Sequence, residues 1–278
     1  MEKLGPRLKT KKTRSPEMGL RVLSFTFIAV LIVIPMLVIV QDAFREGFDE
    51  FWHQVTAPIA ASAIILTLWT SALMTVINAL MGLMTAFVLV RYEFPGKRIF
   101  NAIIDLPLAI PTLVTGVMLV ILYGPQQTLG AFLKEGLGFE IIFAPPGIVL
   151  ALLFITFPFV VRTIQPVLLE LDQAQEHAAA TLGARGWTIF RRVIFPALAL
   201  PTLSGSLLGF ARAVGEFGAV VIVAGNIPFK SQTAAVYVLG AVESENRLAA
   251  SAISVVLIAI SLAVILVTNR VLARRPES

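Results

Sequence analysis

The residues best placed to do chemistry are two opposite charges set in an apolar run. Within Phe210-Ala211-Arg212-Ala213-Val214-Gly215-Glu216-Phe217-Gly218-Ala219, Arg212 and Glu216 stand four residues apart, on one face if the run is helical. Ionisable groups in hydrocarbon are costly, and where they persist they face a bundle interior or a water-filled path. Two compatible roles are open: a mutual brace that neutralises both charges, or part of a path along which Arg212 attracts an anion. A second cluster is polar: Glu176-His177-Ala178-Ala179-Ala180-Thr181-Leu182-Gly183, followed two residues later by Arg185. It reads as a short helix with an acidic start, alanines that permit close backbone approach, and Gly183 where the chain can leave through the left-handed conformation. This is the chemistry of docking rather than of bond making, although a plain polar loop between two apolar segments would satisfy the same residues.

Other reactive chemistry is scarce. The chain has no cysteine, so it offers no thiolate nucleophile, disulfide or thiolate metal site. His53 and His177 are its two histidines, and the topology argued below puts them on opposite faces of a membrane, so they cannot share a metal. Gly96-Lys97-Arg98 lacks both the earlier glycine and the hydroxyl of a phosphate-binding loop. No catalytic residue, metal or cofactor is expected in this chain. Asp105 is expected to cap or pair locally, and Gly205, Ser206 and Gly209 to let helices pack closely.

The elements that must position these residues are membrane spans. Of the 278 residues 57% are hydrophobic and 14% charged, with a mean hydropathy of +0.87, against about 25% charged in soluble domains. Six runs approach or exceed the roughly 20 apolar residues that cross a bilayer, at 22–40, 59–90, 99–123, 147–169, 193–224 and 248–272, the second and fifth being overlong. The first is too long for a signal-peptide core, and Gln41-Asp42-Ala43-Phe44-Arg45 after it is no small-residue cleavage site. The net charge of +5 is explained by placement rather than by nucleic acid, which is not an expected partner. Lys3, Arg7, Lys9, Lys11, Lys12, Arg14 and Arg21 precede the first run, Arg91, Lys97 and Arg98 follow the second, and Arg162, Arg185, Arg191 and Arg192 surround the polar cluster. Arg270, Arg274 and Arg275 close the chain, while the alternate loops hold only Arg45, Lys134, Lys230 and Arg247. Positive charge marks the cytoplasmic side, so both termini and the 170–192 loop are expected there. Prolines at 35, 107, 111, 158, 166, 196 and 201 are expected mostly as kinks, whose freed carbonyls neighbouring helices re-satisfy. The chain reads as one membrane domain: a basic tail at 1–21, a first helix and external loop at 22–58, a core at 59–272, and a short tail at 273–278.

Two stretches carry a family resemblance. Glu176 to Gly183, followed by Val193-Ile194-Phe195-Pro196, resembles the EAA loop of bacterial ABC importer permeases: Glu-Ala-Ala, three residues, Gly, nine residues, Ile, one residue, Leu-Pro. Counted back from Gly183, His177 occupies the family glutamate position and Glu176 lies one residue earlier, while Val193 and Phe195 stand for the family Ile and Leu. The Arg212–Glu216 stretch resembles the Ala-Arg-x-x-Gly-Glu-Phe-Gly-Ala signature of sulfate and molybdate permeases. With Gly225-Asn226-Ile227-Pro228-Phe229-Lys230, Pro158 to Leu168 and Leu106 to Thr112, nearly everything from Ile59 onward is similar to the CysT-type permease family of sulfate/thiosulfate ABC importers.

That resemblance implies an all-α integral membrane protein of the type I ABC importer permease fold, with six transmembrane helices, in the bacterial inner membrane. Glu176, His177, Ala178, Ala179, Gly183 and Arg185 would form the coupling loop seated on a separate CysA-type ATPase dimer, which binds ATP and Mg. A second homologous, CysW-type permease subunit and a periplasmic sulfate/thiosulfate-binding protein would complete the complex in the membrane lipid. Selectivity would lie mainly in the external binding protein, with Arg212 and Glu216 on a weak, gated path. The rivals are a molybdate/tungstate permease and, from another class, an ion-gradient-driven anion carrier, whose inverted repeats and paired broken helices are not visible in the sequence.

Overall fold

A computed structural model describes residues 15–272, with side chains from 18 to 270; the expected tail at 273–278 and residues 1–14 of the basic tail lie outside the described residues. Among the described residues every regular element is a helix. The principal ones are α1 (Met18–Ala43), α2 (Phe48–Thr56), α3 (Pro58–Arg91), α4 (Lys97–Ala109), α5 (Thr112–Tyr123), α6 (Pro145–Glu170), α7 (Gln173–Thr181), α8 (Gly186–Val214), α9 (Gly218–Ala224), α10 (Ala234–Glu243) and α11 (Arg247–Leu272). Helices α1, α3, α6, α8 and α11 are each long and apolar enough to cross a membrane, and α4 with α5 makes a sixth when that bent pair is counted as one span. At 34 residues α3 is about 51 Å long, well beyond a hydrocarbon core of about 30 Å.

Two expected spans are interrupted. The run at 99–123 is not one rod, because α4 and α5 meet at 111°. The proline ring of Pro111 disfavours a helical conformation in the residue before it; Ile110 is extended (φ −81°, ψ 129°), and Pro111 caps the new helix. The run at 193–224 also divides. Its helix begins earlier, at Gly186, and stops at Val214; after Gly215–Phe217 the separate helix α9 starts, with Glu216 Oε1 accepting the Ala219 N–H at 3.0 Å. Inside α8 a π segment at Phe190–Ile194 ends two residues before Pro196. A proline clashes with the carbonyl four residues back, and the wider π turn relieves that crowding without ending the helix.

The heart of the bundle is α3, α6 and α8, and small residues set its spacing. A Cβ on Gly82 would lie 2.7 Å from Val160 Cγ1, one on Gly205 would lie 2.9 Å from Val160 Cα, and one on Gly209 3.5 Å from Thr156 Cβ. Asn78 donates to the Thr156 hydroxyl at 2.9 Å and to the Leu153 carbonyl at 3.2 Å. Met74, Leu152 and Ala213 share the next buried cluster. Residues 82, 160 and 205, then 78, 156 and 209, then 74, 152 and 213 therefore form successive layers. Helices α3 and α6 run in the same direction, with α8 antiparallel to both. In lipid, where apolar surface alone gives helices no reason to associate, such close backbone approach and interhelical hydrogen bonding hold the bundle. Helix α1 leans on α11 at its far end, where Ser251 Oγ donates to Asp42 at 2.6 Å; the rest of α1 presents apolar side chains such as Leu23 and Phe25 outward.

Candidate functional site

The polar cluster forms α7, a nine-residue helix with no buried residue. Asp172 caps its start, accepting the Ala174 N–H at 2.8 Å. At its end the Gly183 N–H reaches the Ala180 carbonyl at 2.9 Å and the Ala184 N–H the Ala179 carbonyl at 3.1 Å, the paired bonds of a left-handed helix stop. Gly183 has φ +82°, a conformation that L side chains resist. His177, Ala178 and Arg185 face outward, Ala179 is half-buried, and Arg185 caps the following helix α8. Leu182 and Trp187, just after α7 and at the start of α8, are 89% and 72% exposed, a large apolar offering beside an otherwise polar helix.

Glu176 does not share this outward aspect. It pairs with Arg91, the last residue of α3, and the two side chains are only 21% and 10% exposed. An apolar face follows the loop: Ile189 and Phe190 pack on the cluster containing Ile164, Leu168, Ile194 and Leu198, and Phe190 meets Phe87 edge-on at 5.9 Å. Arg191 and Arg192 are exposed.

Arg212 and Glu216 form an ion pair of 2.7 Å, with Arg212 40% exposed and Glu216 2%. Their depth follows from the layers of the bundle. Ala213, next to Arg212, sits level with Met74, which lies midway along α3. Two helix breaks meet beside the pair. Gly218 lies so close to α5 that a Cβ would stand 2.1 Å from Thr112 Oγ1, and a Cβ on Gly116 would stand 2.8 Å from the Ala219 carbonyl. A partly open guanidinium whose counter-ion is fixed behind it can offer N–H donors to a passing anion, and nothing in this arrangement makes or breaks covalent bonds. The docking cluster and the ion pair are far apart, since α8 alone carries Arg212 about 40 Å from Arg185.

The other sequence candidates hold the frame. Asp105 receives the Arg162 guanidinium at 2.7 and 2.5 Å, and Arg162 also donates to Asn101, fastening α4 to α6. Gly225 to Lys230 is a tight turn near the starts of α6 and α3 rather than part of the mid-bundle site. Gly225 (φ +70°) lies under the Phe143 ring, and Lys230 Nζ reaches Glu140 at 3.0 Å. Lys230 and Lys134 together hold the Glu140 carboxyl below its ordinary value. Arg91, Asn78 and Thr112 were not singled out from sequence. Asn78 could have been, as a polar amide amid an apolar run; Arg91 could not, because its partner is 85 residues away.

Comparison with known proteins adds a family and a fold. The family model described as "Binding-protein-dependent transport system inner membrane component" matches residues 78–276. A probable sulfate transport system permease protein cysT from Chlorokybus atmophyticus is 44% identical over 240 residues, covering 86% of this chain and 84% of its own length. The sulfate transport system permease protein CysT of Synechocystis sp. is 42% identical over 248 residues, covering 89% and 86%. Among solved structures, a bacterial alginate ABC transporter in complex with an alginate pentasaccharide-bound periplasmic protein superposes with a TM-score of 0.75 at 16% identity, over 91% of this chain and 92% of that one. An amino acid ABC transporter gives 0.55 at 20% identity, over 79% and 95%.

Proposed function

The chain belongs to the family of binding-protein-dependent transport system inner membrane components, and from that membership we propose that it carries sulfate, with thiosulfate, across the bacterial inner membrane as the permease subunit of an ABC importer. The observation that carries the choice of solute is the 44% identity to a cysT relative across most of both chains. The permease has no phosphate-binding loop of its own, so ATP and Mg are bound by a separate, CysA-type ATPase dimer. The exposed helix α7, with Leu182 and Trp187 beside it, is the surface on which that ATPase docks. The distribution of Lys and Arg supports a cytoplasmic position for this surface and both termini. Sulfate arrives from a periplasmic binding protein, and a homologous CysW-type subunit forms the other half of the path. Arg212, partly open at mid-depth, meets the dianion with N–H donors, while Glu216 keeps it from becoming a tight trap; conduction needs binding weak enough to release.

The test is labelled sulfate uptake by the assembled complex in vesicles, with competitors at equal concentration. Thiosulfate and unlabelled sulfate should suppress uptake and molybdate should not. Uptake should stop when ATP is removed and continue when an uncoupler collapses the ion gradient. Stronger competition by molybdate would transfer the chain to the molybdate/tungstate permeases, and uncoupler-sensitive uptake without ATP would make it a carrier.

A further inference from the structure

Helix α7 has two half-buried residues, Glu176 and Ala179, three apart and therefore on one face. That face looks back at the membrane domain. The peptide chain already joins α7 to α6 before it and α8 after it; the Arg91–Glu176 ion pair ties it to α3. Arg91 Nε is buried without a partner, so Glu176 is what holds this guanidinium.

What lies behind Arg91 gives the pair its meaning. Helices α6 and α8 carry internal prolines, Pro158, Pro166, Pro196 and Pro201, whereas α3 has none after Pro58 at its first position. Its hydrogen-bond ladder can run unbroken, so a push at one end is delivered along the axis rather than absorbed at a kink. From Arg91 the rod reaches Asn78 after about 20 Å and Met74 after about 26 Å. These are the layers that touch Thr156 and neighbour Ala213, beside Arg212.

We infer that Glu176 and Arg91 are positioning residues for transport: their ion pair passes movement of the docking helix into α3 and so to the mid-bundle ion pair. The inference rests on α7 being the ATPase-docking element. It also gives a reason for the one-residue offset from the family pattern. His177, at the family glutamate position, is exposed and faces the partner, while Glu176 faces the permease itself.

The experiment uses the full complex in proteoliposomes with Glu176→Gln, Arg91→Gln and the charge swap Arg91→Glu/Glu176→Arg. ATPase copurification and basal ATP hydrolysis are measured for each variant alongside uptake, so that transport is expressed per ATP hydrolysed. Sulfate moved per ATP should fall about tenfold in each single variant, the size of an ordinary coupling between sites, and recover in the swap. Unchanged sulfate per ATP in the single variants, or a swap as poor as either, would overturn the inference. If Arg91→Gln is lost from the membrane, Glu176→Gln, nearly isosteric, and the swap carry the test. Leu182→Asp separates the two readings. If it leaves ATPase copurification and hydrolysis intact, α7 is not the docking surface; if it abolishes them while Glu176→Gln stays coupled, docking stands and the transmission role falls.

Discussion

At the scale of single residues, the balance between brace and path turns on how unequally the central pair is exposed. Glu216 is held from two sides, by Arg212 at 2.7 Å and by the Ala219 N–H at 3.0 Å, while Arg212 keeps 40% of its side chain open. Arg212→Ala leaves a buried carboxylate with one donor and no counter-charge, a loss of about 1–3 kcal/mol, and it removes the donors that face the opening. Uptake should fall severalfold with the complex still assembled. The apolar double variant Arg212→Met/Glu216→Leu should stay slow even where its thermal midpoint recovers; full recovery of uptake would reduce the pair to a brace. The pair was legible in the sequence because opposite charges four apart stand out against an apolar run. The second task of Glu216, capping α9, was not, because it exists only where the helix breaks.

At the scale of elements, the crossing of the two broken spans is a tight joint in the fold. Gly218→Ala would place a methyl 2.1 Å from Thr112 Oγ1, and overpacking of this kind costs about 1–3 kcal/mol. The thermal midpoint of the solubilised protein should drop, and adding Thr112→Ala, which removes the crowding hydroxyl, should return part of the loss. An unchanged midpoint for Gly218→Ala would mean that α9 slides freely over α5. Hydropathy found all six runs, yet it missed both breaks. A sliding apolar count registers composition and not direction, and Leu108 to Val114 stays almost as apolar through the bend as beside it. Nor does proline alone decide: Pro107, Pro158, Pro166 and Pro201 lie inside helices, and only Pro111 coincides with the sharp turn. What distinguishes Pro111 is tertiary, the seat that Gly218 and Ala219 provide for the helix that follows it.

At the scale of the whole molecule, orientation can be read directly because the chain has no cysteine of its own. A single cysteine at exposed Gln127, in the loop after α5, should react with an impermeant thiol reagent on right-side-out membranes, and one at exposed Gln175 on α7 should react only after the membrane is opened. The reverse pattern would invert the molecule and remove α7 from the ATPase. The layered packing of α3, α6 and α8 was not legible in the sequence, since contacts such as Gly82 with Val160 join residues with no mark of kinship there. The closeness of Arg212 and Glu216 has an electrical consequence as well. A net charge carried through the membrane field is worth about 2.3 kcal/mol per 100 mV, so drawing a dianion inward against an inside-negative potential requires about twice that work. A permease whose central charges cancel adds almost no gating charge of its own. The voltage sensitivity of import should therefore be that of the cargo alone, and the potential becomes a load for the ATPase rather than a signal to the gate.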